Sequence, residues 1–294
     1  MKIHLAGRVS ALGLGLLLAT GASAQSPSQG ARPAPASKPA AKPQAAAPKM
    51  ILEQRAIDLL KATGARLAAA KSMSFTAVAS YEYPSQLGPP ILYTVRYDVA
   101  MQRPDKLRVL IPGDGPASEF YYDGKSMMAY APKENLVAVA SAPPTIDAAL
   151  KAAFESADIY YPFTDLIVTD PYAAMADGAI LAFYIGTSEV VGGVKTEMVA
   201  WANPDVFLQI WIGADDKLPR RVRAVYSADP LALHHQLDLS DWQIDADIPA
   251  STFVSEKAQS APHMKFDRPM VPPAPQGLKP LGNVKPAKPA PKSP

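Results

Sequence analysis

The sequence predicts an α+β domain of mainly antiparallel sheet, an incomplete, half-open β-barrel of about 10–11 strands wrapped around an N-terminal helix and a helical lid. Three observations predict it. Apolar and polar residues alternate through 73–83 and again through 91–101, the period-two mark of strands with one buried face. Shorter strand-like runs follow on both sides of 145–178, separated by Gly, Pro and Asp turn signals. Helical stretches at 50–70 and 145–178 give the sheet something to curl around. No repeat of about 20–50 residues recurs, which argues against a propeller or solenoid, so 50–260 reads as one domain.

Taken in order, Lys2 and Arg8 precede the apolar run 11–19 and the small residues Ala22-Ser23-Ala24, so 1–24 is read as a cleaved secretory signal peptide. The apolar run falls short of the about 20 residues that span a bilayer. Residues 25–49, rich in Pro, Ala and Lys, are expected to be a disordered linker. In 50–70, Leu52, Ala56, Leu59, Leu60 and Leu67 share one helical face, with Gly64 weakening the middle. After the two long strands come short ones at 106–111, 118–122, 125–131 and 134–141, with Asp123-Gly124 predicting a two-residue hairpin. Thr145–Ser156 reads as a helix with Asp147 in its first turn. Asp170-Pro171 reads as a cap followed by a helix start, and Gly178 ends that helix. Strands resume at 179–190, 194–202, 205–213, 218–227 and 231–244. Residues 261–294 read as a disordered Pro/Lys-rich tail.

Composition excludes several chemistries. With no cysteine there are no disulfides, thiolate metal sites or cysteine nucleophiles; a domain of about 200 residues buries a sufficient core without them. Residues 50–260 hold 17 lysines and arginines against 26 acids, whereas the flanks carry 12 basic residues and one acid. An acidic domain without an interleaved basic-aromatic patch is not expected to bind nucleic acid. Ser188 lacks the second glycine of a nucleophile elbow. His234 and His235, adjacent on a strand, point to opposite faces. The pairs Asp215/Asp216 and Asp245/Asp247 lie in turns that favour solvent. No catalytic, metal or cofactor site is expected, and the chain is expected to be a monomer.

What the strands hold in excess is amphipathic surface: 12 Tyr and 10 Met beside 8 Phe and 3 Trp. Such side chains suit a cavity for a greasy ligand with a polar head. The same residues equally suit an ordinary core beneath the helices, and on composition alone the core is the stronger reading. If a cavity exists, its lining is expected to be Phe75, Tyr81, Tyr93, Val95, Tyr97 and Met101, with Leu107 and Phe120. A second reading is a cell-envelope interaction or sensor module, in which the sheet and the basic Pro-rich arms dock an envelope protein, a wall polymer or a membrane surface.

Three stretches, MQRPDKLRVLIP (101–112), EFYYDGKSMMAYAPKENLVAV (119–139) and IWIGADDKLPRRVRAVYS (210–227), resemble the periplasmic lipoprotein-carrier superfamily. More closely, 50–260 is similar to a family of predicted periplasmic proteins within it. The resemblance implies a periplasmic carrier or binding protein, not an enzyme, with a lipid or other hydrophobic ligand in a half-barrel cavity under a helical lid. It also implies that Arg103, before Pro104, holds the lid by donating to backbone carbonyls in 145–178. Asp105 and Lys106 are expected to be solvated at that corner, and Arg108 to face solvent opposite Leu107 and Val109.

Overall fold

The computed structural model describes residues 51–268, apart from 86–87, 114–115 and 177. The expected signal peptide, the linker and residues 269–294 lie outside the described residues. The chain opens with β1 (Ile51–Leu52), α1 (Gln54–Ala69), β2 (Ser72–Ser85) and β3 (Gly88–Gln102). It continues through β4 (Lys106–Ile111), β5 (Ser118–Tyr122), β6 (Ser126–Ala131) and β7 (Leu136–Ser141). A helical segment follows: α2 (Ile146–Ala157), α3 (Thr164–Ile167) and α4 (Pro171–Ala176). Then come β8 (Leu181–Ser188), β9 (Thr196–Ala202), β10 (Val206–Gly213), β11 (Pro219–Tyr226) and β12 (His234–Ile244), ending in α5 (Glu256–Ser260) and β13 (His263–Met264).

Among the described residues all 13 strands form one sheet, in the order β1-β8-β9-β10-β11-β12-β2-β3-β4-β5-β6-β7-β13. The longer strands, β2 to β12, pair antiparallel throughout; the two-residue edge strands β1 and β13 run parallel to β8 and β7. The edges do not meet, so the sheet is open. Two blocks of strands join where β12 pairs β2, placing Leu237 opposite Ala79 and His235 opposite Tyr81. The alternation read in 73–83 and 91–101 is seen as a continuous ladder, Met73 opposite Met101 through Tyr83 opposite Ile91.

Helices α1 to α4 cover one face of this sheet. Leu67, Ala70, Ile146, Leu150, Phe163 and Ile167 are buried against Phe75, Val99, Met101, Leu107 and Phe120. Ala56, Leu59 and Leu60 of α1 pack on Ala182, Val199, Trp201 and Ile210 of the second block. Thr145 caps α2 by accepting from the Ala148 N–H, and Asp170 accepts from Ala173 N–H at the start of α4.

Gly64 has a purpose that helix propensity alone conceals. A Cβ there would lie 2.5 Å from Cβ of Tyr172 and 2.9 Å from its backbone, so α1 and α4 touch at this point. Gly64→Ala gains up to about 1 kcal/mol of helix propensity, but overpacking against a neighbouring backbone costs about 1–3 kcal/mol. A net destabilisation is expected, measured by urea unfolding.

Three expectations need correcting. The turn at Asp123-Gly124 spans three residues, 123–125, because the Asp123 carboxylate accepts from the N–H groups of both Lys125 and Ser126. The folded part runs past Ser260. β13 pairs with β7, Phe266 packs on the core, and Arg268 pairs with Asp158 at 3.3 Å. Arg108 does not stand free in solvent: it is half-buried, and its Nε is enclosed without a hydrogen-bond partner. The cause is a second layer on the outer face of β4–β7, where Ala258 and Ala261 cover Tyr121, Met128, Tyr130 and Val137. Consecutive apolar residues, Phe120-Tyr121-Tyr122 and Met127-Met128, are the sequence mark of strands covered on both faces.

Candidate functional site

The eight residues expected to line a cavity separate along their strands. Phe75, Met101, Leu107 and Phe120 are fully buried in the core. Residues of the helical segment pack in the same cluster. The Phe163 ring lies 5.5 Å from those of both Phe75 and Tyr97 and stacks on Tyr161 at 5.4 Å, while Trp242 stacks on Phe75 at 4.4 Å. Tyr81, Val95 and Tyr97 are half-buried, and Tyr93 is 46 % exposed. Burial thus falls steadily along β2 and β3, from Met73 at the packed end to Tyr83, 59 % exposed, at the other.

The open end gathers aromatic side chains on the helix-covered face. The Tyr81 ring stacks between Tyr93 at 5.7 Å and His235 at 6.4 Å, and Tyr226 meets His235 edge-on at 5.1 Å. Tyr83 adds an edge contact to Tyr93 at 6.3 Å. From the helical segment come Tyr160, 43 % exposed, and Asp165. Burial raises the Asp165 carboxyl to about 6 and pushes the Tyr160 phenol up, with Tyr226, Asp165 and Tyr97 adding to the latter. Burial also raises Tyr226, helped by Asp165, and Tyr97, helped by Tyr81. Tyr160, Asp165, Tyr226 and His235 were missed in the sequence. Tyr226 and His235 carry a signal in their strand parity, whereas nothing local distinguishes Tyr160 or Asp165.

The raised Asp165 carboxyl has a consequence for stability. Its folded value lies above the ordinary one, so folding favours the protonated form. That contribution is fully present below about pH 4 and is lost as pH rises through about 6. Asp165→Asn is therefore expected to melt higher than the parent at pH 8 and at nearly the same temperature at pH 4, read by thermal unfolding at the two pH values.

At the opposite, packed end sits Arg103. Its Nε donates to the Ala70 carbonyl at 3.1 Å, and Nη2 donates to the carbonyls of Leu67 at 3.4 Å and Val168 at 2.9 Å. One guanidinium thus joins the last turn of α1 to the end of α3. Burial lowers its pKa, against the influence of Asp147. The same segment is fastened twice more. Ile146 N–H donates to the Pro104 carbonyl at 2.9 Å, and the Asp147 carboxylate accepts from Thr169 N–H at 3.1 Å. Lys106 pairs with Asp105 at 3.0 Å and donates to the Asp123 carbonyl at 2.7 Å, so this corner, expected to be solvated, is tied to the β5–β6 turn.

Surface depressions of about 390 and 320 Å³ lie beside Arg103 and between Arg220 and Trp242. Both are half polar, and neither is lined by the eight predicted cavity residues. Among the described residues no group of three or more His, Asp or Glu side chains is placed to hold a metal ion, and no helix is long and apolar enough to cross a membrane.

Solved structures from several bacteria align with part of this chain. The lipoprotein LppX of Mycobacterium tuberculosis aligns with 68 % of this chain and 100 % of its own, at 13 % identity and a TM-score of 0.44. LprF of Mycobacterium bovis covers 67 % of this chain and 97 % of its own, at 16 % identity and a TM-score of 0.42. A putative outer membrane lipoprotein-sorting protein domain of Vibrio parahaemolyticus covers 68 % and 96 %, at 9 % identity and a TM-score of 0.33. No curated protein matches the sequence. Residues 56–267 match the family described as "Predicted periplasmic protein (DUF2092)", in agreement with the compartment read from the N-terminus, and the chain belongs to that family.

Proposed function

We propose that the protein is a non-enzymatic periplasmic binding or carrier protein for a lipid or other hydrophobic ligand. The sheet curls about α1–α4 as a half-barrel, and the ligand occupies its open end. The observation that carries this reading is the gradient along β2 and β3, where one apolar face leaves a filled core, is half-buried at Tyr81 and emerges exposed at Tyr83, Ile91 and Tyr93. Each ligand methylene buried there contributes about 0.8 kcal/mol, so an acyl chain binds without a dedicated polar motif. Arg103 takes the holding role, keeping the α2–α4 segment over the packed end of the sheet. The reading moves the site from a deep cavity, as expected from Phe75, Met101, Leu107 and Phe120, to a shallow mouth built on Tyr81, Tyr93, Val95 and Tyr97.

Organic extraction of the protein purified from its native host, followed by mass spectrometry, is expected to release a stoichiometric amphiphile. A ligand-free protein that also fails to take up any alkyl-chain compound saturably would contradict the reading.

A further inference from the structure

We infer that residues 90–96 of β3 form a free strand edge that pairs, antiparallel and about a two-fold axis at Tyr93, with the same edge of a second copy of this chain. The inference is independent of the hydrophobic-ligand reading, and it replaces the monomer expected from the sequence.

The edge follows from unequal strand lengths. β2 pairs with β3 from Gln102 to Gly88, whereas β4 pairs only with 98–102. Before Asp98, no strand among the described residues lies on the other side of β3. The hydrogen-bond phase tells which groups that leaves. Asp245 N–H donates to the Ser72 carbonyl, so Ser72 bonds toward β12, and Arg103 N–H donates to the Lys71 carbonyl across the β2–β3 pair. Alternation along the regular ladder turns the N–H and C=O groups of Ile91, Tyr93 and Val95 to β2, and those of Leu92, Thr94 and Arg96 to the unpaired side. All three of the latter residues are exposed, Leu92 by 63 %. A row of unpaired main-chain donors and acceptors selects another extended strand as its occupant.

The symmetry of the segment makes a second copy that strand. Pro90, at the register shift near the start of β3, has no N–H to give, and position 97 is already flanked by Ile111, which continues β4 from the Asp98–Leu110 pair. The usable edge is therefore 90–96, and its midpoint is Tyr93. An antiparallel two-fold pair centred there sets Tyr93 against Tyr93, Ile91 against Val95 and Leu92 against Thr94, and the strands end together with Pro90 against Arg96. Leu92 and Thr94 exchange main-chain hydrogen bonds in both directions, and Tyr93 takes the closer, non-hydrogen-bonded pairing in which side chains meet. The exposed apolar residues Ile91, Leu92 and Tyr93 are all covered by this pairing. Arg96 already pairs with Asp98 at 2.9 Å, so no unpaired like charges confront each other. An axis normal to the sheet keeps both inner faces on one side, so the Tyr81–Tyr93 stack of each copy continues into the other's. The pairing consumes the edge, and the remaining edge strands β1 and β13 have only two residues each, so assembly closes at the dimer.

Sedimentation velocity on the purified protein, without detergent, is expected to show a monomer passing to a dimer as concentration rises toward about 100 μM. Two variants act on the edge alone. Thr94→Pro removes an N–H that faces the partner and leaves the β2 ladder untouched, and Tyr93→Lys sets two ammonium groups directly opposite each other. Each is expected to weaken dimerisation roughly tenfold or more with the circular dichroism of the parent. The chain has no cysteine, so a single introduced thiol reports the axis. Tyr93→Cys places two sulfurs across a pair whose Cα separation, about 4.5 Å, a disulfide can bridge. It is expected to form a covalent dimer under mild oxidation much faster than Val190→Cys, a control on the far more exposed Val190. A parent that stays monomeric throughout overturns the inference. So does a dimer that persists in both edge variants, or a Tyr93→Cys chain that cross-links no faster than Val190→Cys.

Discussion

Arg103→Ala is expected to destabilise the protein by about 2–4 kcal/mol, because three carbonyls lose a charged donor at once. The loss should be local in character as well as global. Arg103 is the bond between the last turn of α1 and Val168, so hydrogen exchange should accelerate first in 64–70 and 164–169. Arg103→Lys is expected to recover less than half of the loss. A lysine ammonium is a single point on a flexible stem, whereas the guanidinium fork donates in two directions from one rigid plane. Exchange that rises evenly over the domain would show that Arg103 is an ordinary packing residue. It would not then be a fastening for the α2–α4 segment.

Phe163→Ala is the second large effect, expected to cost about 3–5 kcal/mol, the usual range for an aromatic removed from a closed core. Phe163 is fully buried and touches the rings of Phe75, Tyr97 and Tyr161. It fills the position where a deeper half-barrel cavity would lie. Removing it should extend the mouth inward along β2 and β3, so the variant is expected to prefer longer alkyl chains than the parent while melting lower. Chain-length preference, read by competition among alkyl maltosides, checks this. An unchanged preference would place the ligand elsewhere than on the Tyr81–Tyr97 face.

The elements were legible because period-two alternation and turn residues are local signals. β2 and β3 are visible in the alternation of Met73 to Tyr83 and Ile91 to Met101, and α2 in its Thr145 cap. The second layer was partly legible: Phe120-Tyr121-Tyr122 announces strands covered on both faces, but not that Ala258 and Ala261 do the covering. Those contacts join residues more than a hundred positions apart, and alanines carry no pattern of their own. Arg103 became legible through its proline neighbour and the family resemblance, and its guanidinium reaches Val168 within the expected segment. The lining residues divide because parity tells which face a strand residue occupies. It does not tell how far along the strand the helices extend. Phe75 and Tyr93 share a face, yet Phe163 covers one and leaves the other open.

The central claim is that a hydrophobic ligand sits at the open end of the sheet, against Tyr81, Tyr93, Tyr97, Tyr160 and Tyr226. Photolabelling with an alkyl-diazirine probe, followed by peptide mapping, tests it most directly. Saturable labelling, competed by unlabelled alkyl compounds, is expected on peptides from 79–83, 93–97, 158–165 and 224–226. Labelling confined to the outer face around Met128 and Ala258, or labelling that never saturates, would contradict it.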